Sequence, residues 1–136
     1  MFFQDISIGQ SAELTRLVSD SDIQGFAELS GDRNPVHLDE DYAKTTPFRG
    51  RIAHGMLSAI FISTLFGMKL PGPGSIYVSQ TLRFKAPVRI GDRVTARVEV
   101  TALIPEKKFV TFRTTCSVGS KLVIDGEATL MVPSRD

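Results

Sequence analysis

Gly55-Met56-Leu57-Ser58-Ala59-Ile60-Phe61-Ile62-Ser63-Thr64-Leu65-Phe66-Gly67-Met68 is a run without a single charge, flanked by Arg51 and Lys69. Spanning a bilayer takes about 20 apolar residues, and a run shorter than that reads as a helix buried in a protein core. Gly55 marks its start. Lys69-Leu70-Pro71-Gly72-Pro73-Gly74 ends it, because proline and glycine forbid its continuation. The run is apolar nearly all round, so other elements must wrap it.

After Gly74 the pattern alternates: Ile76, Val78, Gln80, Leu82 and Phe84 fall on one face and Tyr77, Ser79, Thr81, Arg83 and Lys85 on the other. That period of two predicts a strand. Gly91-Asp92 turns the chain into Val94, Ala96, Val98 and Val100, and Pro105-Glu106-Lys107-Lys108 turns it again into Val110, Phe112, Thr114 and Cys116. Gly119-Ser120 leads into a last strand from Leu122 to Val132, where Gly126 suggests a bulge. Four consecutive strands with short turns predict an antiparallel meander. A long apolar helix followed by a meander predicts an α+β domain, its antiparallel sheet laid around the helix. Sheet edges tend to be covered or paired, so a homodimer with a sheet continuous between subunits is the expected assembly.

Upstream, Ile8 to Val18 reads as an edge strand, and Ser19-Asp20-Ser21-Asp22 supplies helix caps ahead of Ile23, Phe26 and Ala27. Gly31 suits the end of that helix, and Asp39 the start of another, with Glu40 and Asp41 in its first turn. Between them lies Asp32-Arg33-Asn34-Pro35-Val36-His37. Asn34 is pushed to extended geometry by the proline that follows it, and Pro35 has its own φ fixed, so a stiff loop holds an acid and an imidazole.

The 136 residues fit one domain, 1–136, with no internal repeat or linker. Sixteen basic against fifteen acidic side chains leave a formal charge of +1, which gives no basic field for nucleic acid. The single cysteine, Cys116, cannot form an internal disulfide, and Met1-Phe2-Phe3-Gln4-Asp5 lacks the features of a signal peptide, so a cytoplasmic protein is expected. Two histidines without metal-ligand spacing argue against a metal site, and no cofactor is expected.

The loop Ser30-Gly31-Asp32-Arg33-Asn34-Pro35-Val36-His37-Leu38-Asp39, with Ala43 after it, resembles the hydratase 2 motif of MaoC-like hot-dog proteins. The likeness continues through Arg51-Ile52-Ala53-His54-Gly55-Met56, Pro71-Gly72-Pro73-Gly74, Gln80-Thr81-Leu82-Arg83-Phe84, Pro87-Val88 and Gly91-Asp92, and so covers most of the chain. Within that group the sequence is similar to the short, single-hot-dog (R)-specific enoyl-CoA hydratases that feed polyhydroxyalkanoate synthesis in bacteria. The resemblance implies a trans-2-enoyl thioester of coenzyme A as substrate, to which water adds reversibly to give the (R)-3-hydroxyacyl thioester. Among the alternatives are a dehydratase acting on acyl-carrier-protein thioesters, a thioesterase, and a silent acyl-thioester-binding module.

Such a reaction needs a base for water, an acid for the α-carbon and a donor to the enolate oxygen. The family pattern assigns Asp32 and His37 to the first two tasks, holding one water between them. The Gly55 N–H, at the positive end of the central helix, is the expected oxyanion donor. Asn34 and Ser63 are the candidate substrate-site residues. Asn34 has the loop backbone as an alternative partner, and Ser63 would either orient the Asp32 carboxylate or bond a helical carbonyl. Asp32 has a competing role as a turn cap, Gly55 as a packing glycine, and Leu57, Phe61 and Leu65 as plain core. His54 caps the helix or supports the loop, and Cys116 is expected to be inert. Arg83, Lys85, Arg89 and Arg93 are basic groups that could meet coenzyme A phosphates or simply face solvent.

Overall fold

A computed structural model describes residues 1–136. Its elements are a short 3₁₀ turn at Phe3–Asp5, then β1 (Ser11–Leu17), α1 (Asp20–Ser30), α2 (Pro35–Leu38), α3 (Glu40–Ala43), α4 (Gly55–Met68), β2 (Ile76–Phe84), β3 (Arg93–Ile104), β4 (Phe109–Val118) and β5 (Lys121–Met131). The apolar run is α4 from end to end. It packs against β1, β3 and β4 of one five-stranded antiparallel sheet, giving the hot-dog arrangement.

Alternation in the strands decides what the sheet offers the helix. Val94, Ala96, Val98 and Val100 of β3 and Val110, Phe112, Thr114 and Cys116 of β4 are buried. From α4 they meet Leu57, Phe61, Ile62, Leu65 and Phe66, all in the same core. Each fully buried Val, Leu, Ile or Phe side chain contributes about 1.5–3 kcal/mol, so this helix face is a substantial part of the core. Leu57, Phe61 and Leu65 are therefore core residues.

Strand order is β1-β3-β4-β5-β2, so the expected meander of four is a meander of three. β2 pairs with β5, with Leu82 opposite Gly126, and not with β3. Short turns join β3 to β4 and β4 to β5. The segment between Phe84 and Arg93 is longer than a hairpin turn and holds Pro87, and it carries the chain across the sheet to its other side. Gly126 is likewise not a bulge: a Cβ there would lie 1.9 Å from the Thr81 carbonyl oxygen, so glycine is required by close approach of β2. The irregularities fall instead at Tyr77/Ser79, Val100/Ala102 and Cys116/Ser117.

Upstream the caps act as the sequence suggests. Ser19 Oγ accepts from the Asp22 N–H, and Gly31 ends α1 at φ 80°, a left-handed conformation that suits glycine. Asp39 accepts from the Tyr42 N–H and opens α3. No helix is long and apolar enough to cross a membrane.

α4 is not wrapped on every side within one chain. Met56 and Ile60, four residues apart, remain about half exposed, beside the outer edge of β2 where Ile76, Tyr77, Val78 and Phe84 are also exposed. A single sheet covers one flank of a helix, and this apolar stripe is what it leaves over.

Gly126→Ala is predicted to destabilise the fold by about 1–3 kcal/mol, because the added methyl overlaps backbone rather than a movable side chain. Thermal unfolding measures this; a melting temperature equal to that of the parent chain would contradict the β2–β5 approach.

Candidate active site

Four hydrogen bonds tie the loop 32–37 to the segment 51–54, which runs from α3 into α4. The Arg51 Nε–H donates to the His37 carbonyl at 2.7 Å, and the Ile52 N–H to the Val36 carbonyl at 3.2 Å. His37 Nδ1 is 2.8 Å from the Ile52 carbonyl, and His54 Nε2 is 2.9 Å from the Asp32 carbonyl. A carbonyl only accepts, so each of these ring nitrogens carries its proton. His37 Nε2 and His54 Nδ1 are thus the lone-pair nitrogens. Arg51 is itself anchored to the Asp20 carboxylate of α1 at 2.5 Å, and this ion pair holds Asp20 below the usual carboxylate range.

His37 does not lie in an open loop. Pro35–Leu38 is the single-turn helix α2, with Pro35 at its first position and the Asn34 Oδ1 accepting from the Val36 N–H at 3.2 Å. The Asn34 Oδ1 thus bonds the loop backbone, the alternative partner the sequence offered, while its Nδ2 makes no hydrogen bond within the chain. Asp32 Oδ1 in turn accepts from the Asn34 N–H at 3.2 Å, leaving its other oxygen free. Asp32 is exposed, whereas His37 is 8% exposed and His54 3%.

The two imidazoles stack, with centroids 3.9 Å apart, and Phe26 closes the far side of His54 at 4.6 Å. One potential ligand atom from each of Asp32, His37 and His54 falls within 4.8 Å of the others. The ring planes are inclined by 29°, and one nitrogen of each ring is bound to a carbonyl, which leaves each imidazole a single lone pair. The arrangement therefore suits proton handling more than metal ligation. Burial pushes the His37 pKa below its ordinary 6.5; the bond to Ile52 opposes this, the neighbouring His54 adds to it, and Asp32 opposes it.

Gly55 opens α4, and its N–H has no hydrogen-bond partner in the chain, as befits a first-turn amide. A Cβ on Gly55 would lie 2.6 Å from the Phe84 ring, so the residue is a packing glycine as well as a free donor. Beside it opens a cavity of about 500 Å³, lined by His37, His54, Gly55 and Ser58 together with apolar residues such as Phe84, Val88 and Ile124. Asp32, His37 and Gly55 thus belong to one neighbourhood.

Ser63 does not join them within one chain. It is eight residues beyond Gly55, about 12 Å along the helix, and lines a second hollow with Tyr77 and Gln80 on another flank of α4. Its assignment as an orienter of Asp32 is corrected for the single chain. Of the basic candidates, Lys85 lines the first cavity, and Arg89 is bound to the Phe48 carbonyl and, through its N–H, to Asp92. Cys116 is fully buried and its thiol is pushed up to about 12, which makes it inert. His54, Arg51 and Ser58 were not picked out as site residues by the sequence. The first two carried a signal, as the polar residues placed just before an apolar helix.

A MaoC-like domain model matches residues 4–122. A protein of Rhodospirillum rubrum named (R)-specific enoyl-CoA hydratase is 67% identical over 134 residues, covering 98% of this chain and 93% of that protein. A 3-hydroxybutyryl-CoA dehydratase of Methylorubrum extorquens is 52% identical, covering 100% of this chain and 87% of its own length. Among solved structures, the (R)-hydratase from A. caviae involved in PHA biosynthesis matches with a TM-score of 0.92 at 46% identity, over 96% of this chain and 99% of that one.

Because the His37 pKa is lower folded than unfolded, the unfolded chain takes up this proton first as the pH falls. Stability is predicted to decline as pH drops below about 6.5, and the part due to this group ceases to change once folded His37 also protonates. Urea unfolding at a series of pH values checks this, with His37→Gln expected to flatten the dependence; an identical slope in the variant would contradict it.

Proposed function

The chain belongs to the MaoC-like family, and on that footing we propose that it is an (R)-specific enoyl-CoA hydratase in which Asp32 and His37 activate water and the Gly55 N–H holds the thioester oxygen. The observation that carries the residue assignment is the bonding of His37: with Nδ1–H given to the Ile52 carbonyl, Nε2 is left as an acceptor on a ring that has a nitrogen within 4.8 Å of an Asp32 carboxylate oxygen. The dehydratase named among the relatives runs the same reaction in reverse.

Water sits between two acceptors, the free oxygen of Asp32 and His37 Nε2. Asp32 takes one proton as the water oxygen bonds to C3 of the enoyl group. Electron density moves through C2 to the thioester oxygen, where the Gly55 N–H and the positive end of α4 stabilise the enolate. A proton from the Asp32–His37 pair then adds to C2, so water is consumed and the pair returns to its starting state. The depressed pKa of His37 keeps it neutral and accepting at neutral pH. Coenzyme A itself lies outside the apolar cavity, with Lys85 at hand for its charge.

The assembly is a homodimer. Support comes from the exposed apolar stripe of Met56 and Ile60 and from the free edge of β2, which together present hydrophobic surface and unpaired backbone to a second copy. The same reading places the protein in the cytoplasm, where its lone buried thiol stays reduced, and in the supply of (R)-3-hydroxyacyl thioesters for polyhydroxyalkanoate synthesis.

Purified protein given trans-2-butenoyl-CoA is expected to consume the conjugated enoyl absorbance and to yield the (R)-alcohol. Asp32→Asn and His37→Ala should each lower kcat by at least about 10²-fold. Release of free coenzyme A without the alcohol would instead indicate a thioesterase. Gly55→Pro removes the proposed oxyanion donor at a helix position that accepts proline, and His54 has the extended backbone that a residue before proline needs. In a Phe84→Ala background that relieves the ring contact, it should cost about 10²- to 10³-fold in kcat. Sedimentation should give the mass of a dimer, and Ile60→Glu should give a monomer; a monomeric parent chain would refute the assembly.

A further inference from the structure

Two buried side-chain atoms of this chain have no hydrogen-bond partner, His54 Nδ1 and Ser58 Oγ. They are complementary. His54 Nε2 gives its proton to the Asp32 carbonyl, so Nδ1 can only accept, whereas a serine hydroxyl can donate. They also share one turn: His54 is the residue before α4 and Ser58 lies four positions on, the spacing at which helical side chains are neighbours.

Neither atom has a better outlet nearby. A helical serine ordinarily bonds back to the carbonyl four residues earlier, here that of His54 itself, and this hydroxyl does not. The rings packed on His54 offer Nδ1 no donor, because Phe26 has none and the His37 Nδ1–H is given to the Ile52 carbonyl. A buried donor and a buried acceptor left apart each carry a desolvation penalty that a bond between them removes. As the side chains stand that bond is not made, and both atoms are sealed from solvent, so a turn of the Ser58 hydroxymethyl group about its Cα–Cβ bond is the motion that would close it.

We propose that Ser58 is a positioning residue whose hydroxyl, after that turn, donates to His54 Nδ1 and pins the imidazole through its second nitrogen. His54 holds the Asp32 carbonyl through Nε2–H and stacks on His37 at 3.9 Å, so Ser58 sets the orientation of both proton-handling groups without touching substrate. The effect on rate rests on the hydratase reading; the bond does not.

The test is ¹⁵N NMR of histidine-labelled parent chain, Ser58→Ala and Ser58→Cys, with melting temperatures and trans-2-butenoyl-CoA kinetics on the same samples. In the parent chain the His54 Nδ1 resonance is expected upfield of an unbonded lone-pair nitrogen, and Ser58→Ala should move it downfield. The folded Ser58→Ala should lose about tenfold in kcat with KM within about twofold, and Ser58→Cys, whose thiol is a weaker donor, should fall between. An unbonded His54 Nδ1 in the parent chain, which needs no variant to detect, overturns the bond, as does a resonance that Ser58→Ala leaves in place. A resonance that moves while kcat does not overturns the positioning role and leaves the hydratase reading standing. A parent chain that fails on butenoyl-CoA while the resonance moves as expected overturns the hydratase reading and leaves the bond standing.

Discussion

The short lattice of bonds between residues 32–37 and 51–54 is the constraint on which the site depends. Two backbone carbonyls, those of Ile52 and Asp32, fix the tautomers of His37 and His54, and two donors, Arg51 Nε and the Ile52 N–H, hold α2 in place. Each bond is worth only about 0.5–1.5 kcal/mol net. Their effect is geometric: an exposed carboxylate and a buried imidazole are brought together by a segment that continues directly into α4. The amide proposed for the oxyanion is therefore tied to the clamp, and the proposed proton-handling pair and the helix end form one unit.

That unit needs a rigid base, and the apolar run supplies it. α4 is anchored by Leu57, Phe61, Ile62, Leu65 and Phe66 in the core, so its first turn is fixed although Gly55 and Met56 are exposed. The same hydrophobicity carries a cost in the isolated chain, because one sheet leaves Met56 and Ile60 uncovered. The exposed stripe and the free β2 edge lie together, so one contact with a second copy would cover both.

Most of this architecture was legible in the residues because it follows from period and punctuation. The uncharged run ended by Pro71-Gly72-Pro73-Gly74 became α4, and the alternating segments became strands, with one face buried in β3 and β4 while β2 stays exposed or half-buried along its length. Strand order was not legible. The alternation of β2 says that it is a strand but not which neighbour it takes, and the Lys85–Asp92 crossover carries no signal of its destination. At the site, the pairing of Asp32 with His37 followed from a stiff local loop, whereas contacts across the fold did not. The Asn34 Oδ1 caps α2, Ser63 lines another hollow, and the stacking of His54 on His37 requires two segments seventeen residues apart in sequence to meet.

The most direct test of the account is the protonation of the two ring systems, read by ¹⁵N NMR of histidine-labelled protein across pH. The clamp predicts that at neutral pH His37 is the Nδ1–H tautomer and His54 the Nε2–H tautomer, and burial predicts that His37 titrates below its ordinary 6.5. A His37 that carries its proton on Nε2 at neutral pH, or that is still doubly protonated there, would leave no acceptor for the water and would contradict the account.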